Sequence, residues 1–91
     1  MRQYGNGMRW LTESERVLPG VPVVELAGDR RVLIENHKGV VEYGKERICV
    51  KVQYGLLCIC GIDMELAKMS KEQLVIAGKI ESVSIQRKGK I

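Results

Sequence analysis

Val24-Glu-Leu-Ala-Gly28, Val41-Glu-Tyr-Gly44, Leu57-Cys-Ile-Cys-Gly61 and Leu74-Val-Ile-Ala-Gly78 are four versions of one phrase: apolar, any, apolar, an optional residue, then glycine. Their starts lie 17, 16 and 17 residues apart. A repeat of this length, with two apolar-alternating segments in each unit, describes a pair of strands that cannot bury its face alone, so the units must pack on one another. The expected fold is all-β, a single small domain of about eight short strands in four such repeats.

Working outward from the phrase, apolar residues recur with a period of two from Val21 onward. Ile48, Val50 and Val52 alternate with Cys49 and Lys51; Ile62, Met64 and Leu66 alternate with Asp63, Glu65 and Ala67; Val83 and Ile85 alternate with Ser82, Ser84 and Gln86. The pattern places strands at 22–27, 31–35, 39–43, 47–53, 56–60, 62–67, 73–77 and 79–86, with Met69 to Gln73 as a loop or one helical turn. Gly28-Asp29 and Gly44-Lys45 suit tight hairpin turns, where glycine supplies positive φ. Gly61 and Gly78 lie between apolar residues and suit bends or bulges within a continuing strand. Glycine turns favour a meander folded as a roll or sandwich, whereas glycine corners favour a β-solenoid. In either arrangement the terminal strands leave unpaired backbone groups, which are templates for association.

Residues 1–20 form a lead-in with little regular structure. Thr12 and Glu15 have capping-box spacing for one helical turn before Pro19-Gly20. Residues 21–87 form the β domain, and 88–91 a basic tail. Ninety-one residues suffice for one modest core and no second one. With no Phe present, that core must consist of Val, Ile, Leu and Met. The longest apolar run, Leu56 to Cys60, is far too short to span a bilayer as a helix.

Fifteen Lys and Arg against eleven Asp and Glu give a net charge of +4, with the excess toward the two ends. A solubilising surface accounts for it, and so does an acidic partner or an anionic membrane surface. Arg2, Arg9 and Trp10 are the candidate membrane-surface contact. Nucleic acid is not the expected partner, because the three Tyr and one Trp are not interleaved with the basic residues. Cys49, Cys58 and Cys60 read as core thiols of a reducing, cytoplasmic compartment, since no leader resembling a signal peptide precedes them. Cys58 and Cys60 share one strand, a poor geometry for a disulfide.

The one polar cluster inside the repeats is Glu35-Asn36-His37-Lys38-Gly39. An acid, an imidazole and a lysine side by side invite a catalytic reading, but neighbours in an extended segment point to opposite sides and no nucleophile is placed beside them. Asn36 and Gly39 are turn formers. The cluster is therefore either a structural turn, with Asn36 and His37 bonded to local backbone, or a partner-contact turn. Cys58-x-Cys60 with one distant His lacks zinc-ligand spacing, and no phosphate-binding glycine pattern is present. No catalytic residue, metal, cofactor or small-molecule substrate is expected.

Leu33-Ile-Glu-Asn-His-Lys-Gly-Val-Val-Glu-Tyr43, Gly55-Leu-Leu-Cys-Ile-Cys-Gly61 and Ile76-Ala-Gly-Lys-Ile-Glu-Ser-Val-Ser-Ile85 together resemble the YabP/YqfC family of sporulation proteins, most nearly its YqfC branch. The resemblance covers residues 18–86, and the Glu35 to Gly39 phrase is its most specific part. It implies a non-enzymatic protein of endospore-forming bacteria, made in the mother cell, that serves spore coat or envelope assembly. The implied partners are proteins: further copies of the chain, or a membrane protein encoded nearby.

Overall fold

The computed structural model describes residues 20–87. Six antiparallel strands form one open sheet: β1 (Val23–Ala27), β2 (Arg31–Glu35), β3 (Val40–Tyr43), β4 (Arg47–Val52), β5 (Gly55–Met69) and β6 (Gln73–Arg87), in the order β1-β2-β6-β5-β4-β3. The all-β expectation holds, and no helix occurs among the described residues. The helical turn expected at Thr12 to Glu15, the contacts expected of Arg2, Arg9 and Trp10, and the 88–91 tail lie outside the described residues.

Six strands replace the expected eight because the segments flanking Gly61 join into β5 and those flanking Gly78 join into β6. Both glycines are bends in continuing strands. The β5–β6 ladder slips between Cys60 and Gly61, where Glu81 is the extra residue, and again between Ile62 and Glu65. Each slip inserts a residue, turns the strand and reverses which side chains face inward. Leu57 and Ile59 are buried before the bend and Met64 after it; Ile62, read from sequence as inward, is exposed. Asp63 takes a positive φ of 51° in the second bulge.

The two short hairpins brace this bend. At the β1–β2 turn Gly28 has φ +57°, and the Arg30 N–H donates to the Ala27 carbonyl at 3.1 Å. The carbonyls of Asp29 and Arg30 then accept from the N–H groups of Ile80 and Gly78, at 2.7 and 3.1 Å. At the β3–β4 turn, Lys45 and Glu46 accept in the same way from Met64 and Gly61, at 2.9 and 3.1 Å. Gly44 closes this turn without a positive φ, unlike the sequence expectation. The fourfold phrase thus marks two hairpin tips and the two mid-strand bends on which they dock.

Because the long hairpin bends, one core draws on both halves of the sheet. Val32, Ile34, Leu74 and Ile76 from one half join Ile48, Val50, Val52, Leu57 and Ile59 from the other, with Met64 and Ile80 at the bend. All are Val, Ile, Leu or Met, as the missing Phe requires. Burying each fully contributes about 1.5–3 kcal/mol relative to exposure, which is what holds the described sheet together.

The order departs from a meander at one joint. β2 pairs with β6, not with β3, so residues 36–39 must cross from one half of the sheet to the other. All the pairings are antiparallel, which is not the stacking of a solenoid.

Candidate functional site

Among the described residues, three places carry polar, reactive or unpaired groups, and the crossing segment is the first. Asn36 adopts φ +65°, a conformation asparagine tolerates well. Its N–H donates to the Glu72 carbonyl at 2.7 Å, and its Nδ2 donates to the Val21 carbonyl at 2.8 Å. His37 is buried. Its Nδ1 accepts from the Gly39 N–H at 3.0 Å, and Nε2 lies 3.0 Å from the Ser70 carbonyl. Since Nδ1 accepts, the ring proton sits on Nε2 and donates to Ser70.

Lys38 donates its N–H to Lys51, whose own N–H donates back to Gly39. The Lys38 side chain is exposed. Glu35 accepts from Gln73 Nε2 at 3.4 Å. The residues read as a candidate turn are indeed brought together, but most of their hydrogen-bonding capacity is spent inside the molecule. The turn fastens the crossing to the β5–β6 turn on one side and to β4 on the other. Glu35, Asn36, Ser70, Glu72 and Gln73 line a shallow polar cleft there.

The second place is a thiol cluster on the sheet face opposite the core. Cys49 and Cys58 are among the buried core residues, at 2% and 0% exposed, but stand apart from the aliphatic cluster. The core-thiol reading holds for these two, and alternation in β4 adds the side: Ile48 and Val50 face the aliphatic cluster, and Cys49 faces the other way. Cys49 is the direct cross-strand partner of Cys58. The Cys49 thiol donates to Glu42 Oε1 at 3.6 Å, Arg47 Nη2 donates to Cys58 Sγ at 3.6 Å, and Arg47 Nε donates to Glu42 Oε1 at 3.2 Å. All three cysteines are free, with Cys60 half-buried beside the pair.

Burial, then the bond with Cys58, pushes the Cys49 thiol up from 9.0 to about 12. A thiol that ionises later in the folded state stabilises fully below the unfolded value, and that contribution fades as pH climbs from 9 toward 12. Urea unfolding of the wild type across this window should therefore lose more stability than unfolding of Cys49→Ala. Parallel pH profiles would remove this assignment.

The third place is a free strand edge that sequence reading did not locate. β2 pairs with β6 only at residues 73–77, so the C-terminal half of β6 has β5 on one side and no described strand on the other. The Gly61 N–H points toward β4, which fixes residues 55, 57 and 59 toward β4 and residues 56, 58 and 60 toward β6. Ser82, Ser84 and Gln86 complete that ladder. Val83, Ile85 and Arg87 therefore turn their N–H and C=O groups outward. The Gly55↔Arg87 to Cys60↔Ser82 pairs run without a register shift, and Ile85 is 52% exposed. By contrast β3 has a bulge at Val41, and the free stretch of β5 is twice interrupted.

Among the described residues, no group of three or more His, Cys, Asp or Glu could hold a metal ion, and no helix is long and apolar enough to cross a membrane.

The YabP family matches the chain over residues 21–90. The chain is also 26% identical over 88 residues to the uncharacterized protein YqfC of Bacillus subtilis strain 168, an alignment covering 91% of this chain and 95% of that protein. No solved structure matches.

Proposed function

The chain belongs to the YabP family, and we propose that it is a non-enzymatic assembly or adaptor protein of sporulation that works by strand addition to the free edge of β6. The carrying observation is the regular run 82–87, with the backbone groups of Val83, Ile85 and Arg87 facing outward. Strand addition takes adhesion from main-chain hydrogen bonds and specificity from alternate side chains.

The edge is self-complementary. Two copies of Glu81-Ser-Val-Ser-Ile-Gln-Arg87 laid antiparallel about Ser84 place Glu81 opposite Arg87 and Val83 opposite Ile85. All four of these residues are odd-numbered, so Val83 and Ile85 meet as a hydrogen-bonded pair and keep both core faces on the same side. A second copy is the first partner this edge fits. The mother cell is the proposed location, and a membrane protein the proposed second partner, on the strength of the family.

Proline at position 85 removes an outward N–H and leaves the β5–β6 ladder intact. Light scattering should show the wild-type chain as a dimer or larger, and Ile85→Pro as a folded monomer whose thermal midpoint, unlike that of the wild type, does not change with concentration. Ile85→Lys, which charges the edge, should behave likewise. A monomeric wild type that captures no protein from sporulating cells would end this reading.

A further inference from the structure

The thiol cluster is independent of the β6 edge and has its own chemistry. We propose that Cys49 and Cys58 form a thiol–disulfide exchange site that closes reversibly to a cross-strand disulfide on reaction with a low-molecular-weight disulfide. Three observations converge on it.

The first is register. Gln53 and Tyr54 make a two-residue turn between Val52 and Gly55, so 52↔55 is a hydrogen-bonded pair and every second pair beyond it is not. Cys49↔Cys58 is a non-hydrogen-bonded pair. Such pairs hold their Cα atoms about 4.5 Å apart, at the short end of the about 4.4–6.8 Å that a disulfide spans. The bond can therefore close without moving the backbone.

The second observation is asymmetry. The Cys58 sulfur accepts a hydrogen bond from the Arg47 guanidinium, while the Cys49 thiol donates its own proton to the Glu42 carboxylate. Cys58 is the attacking sulfur and Cys49 the resolving one. The Cys58 thiolate attacks one sulfur of the reagent, forming a mixed disulfide and releasing the first thiolate. Cys49 then gives up its proton and attacks the Cys58 sulfur, releasing the second. Two protein thiols are oxidised, one reagent disulfide is reduced to two thiols, and the protein loses two hydrogens.

The third is access. The two cysteines are 2% and 0% exposed, but the side chains bonded to them, Arg47 and Glu42, form an ion pair whose side chains are 45% and 54% exposed. An exposed ion pair of this kind contributes little, so swinging these two side chains away from the sulfurs costs little. Cys60 is half-buried on the same face, and its partner across the ladder is Arg47 and not a cysteine.

The test incubates the full chain in glutathione buffers of increasing oxidised fraction, followed by acid quench, thiol counting and peptide mass mapping. Wild type and Cys60→Ser should each lose two thiols together as a Cys49–Cys58 link that dithiothreitol reverses. Cys49→Ala should stop at a glutathione adduct on Cys58, and Arg47→Ala should slow closure several-fold while preserving the fold. Adducts confined to Cys60, or a Cys49–Cys58 link seen only after denaturant is added, would overturn the proposal.

Discussion

Alanine in place of Gly61 should leave the chain without a stable fold. A Cβ there would clash with the Lys79 carbonyl oxygen and sit 3.1 Å from its carbon, both backbone atoms of the facing strand. Neither can yield unless the β5–β6 bend opens, and the bend is what lets the two halves of the sheet share one core. Gly78→Ala meets the same obstacle from the other strand: its Cβ would lie 2.7 Å from Met64 Cα and 2.8 Å from the Asp63 carbonyl oxygen, at a φ of +146° that L side chains rarely adopt. Each substitution should cost more than about 4 kcal/mol, beyond the usual range for a point change. A domain whose whole stability is about 5–15 kcal/mol has little left after that.

The other two glycines of the repeated phrase supply the control. Gly44→Ala meets only an ordinary contact at 3.5 Å, with no positive φ, and should stay within about 0.5 kcal/mol of wild type. Gly28→Ala has open space around it, but at φ +57° it should cost about 1–2 kcal/mol. Urea midpoints of the four variants would rank them, and a Gly61→Ala midpoint close to that of Gly44→Ala would refute the close-packed bend.

These four positions also show what the sequence made legible. Their surroundings separated hairpin tips from mid-strand bends, since polar residues follow Gly28 and Gly44 whereas apolar ones flank Gly61 and Gly78. The bulges left a trace as well. Inward residues are even-numbered at Leu74 and Ile76 but odd-numbered at Val83, a change of phase that one inserted residue produces. Reading Ile62 as inward missed the corresponding change in β5.

Pairing between distant segments left no such trace. That β2 sits beside β6 depends on contacts between residues near 36 and 72, and local periodicity does not encode them. The cysteine pair was hidden by a single residue. Strands ending at 53 and restarting at 56 would place Cys49 opposite Cys60, whereas the actual turn at Gln53-Tyr54 places it opposite Cys58. The Glu35 to Gly39 phrase was visible, and half of its role followed from turn chemistry: His37 does bond to the nearby Gly39 N–H. The other half, the bond to Ser70, joins residues 33 apart and needs the fold.

That second bond makes His37 the place where the structural and contact readings of the phrase separate. Replacing His37 with Ala strands a Gly39 N–H and a Ser70 carbonyl, and leaves a gap where a ring only 9% exposed had packed. An unsatisfied buried group costs about 1–3 kcal/mol, so His37→Ala should lower stability by about 2–4 kcal/mol, with amide exchange quickening first at 37–39 and 70–72. His37→Gln, which carries both a donor and an acceptor, should recover part of the loss. Lys38→Ala should change stability by less than about 0.5 kcal/mol, because only its backbone is engaged. The two substitutions therefore report different things. If the phrase fastens the crossing, His37→Ala moves the urea midpoint and Lys38→Ala does not. If the phrase is instead a contact surface, Lys38→Ala removes a partner at unchanged stability, and His37→Ala leaves the midpoint where it was. The bonds on both sides of the imidazole favour the first outcome, since a ring committed to Gly39 and Ser70 has no nitrogen left for a partner.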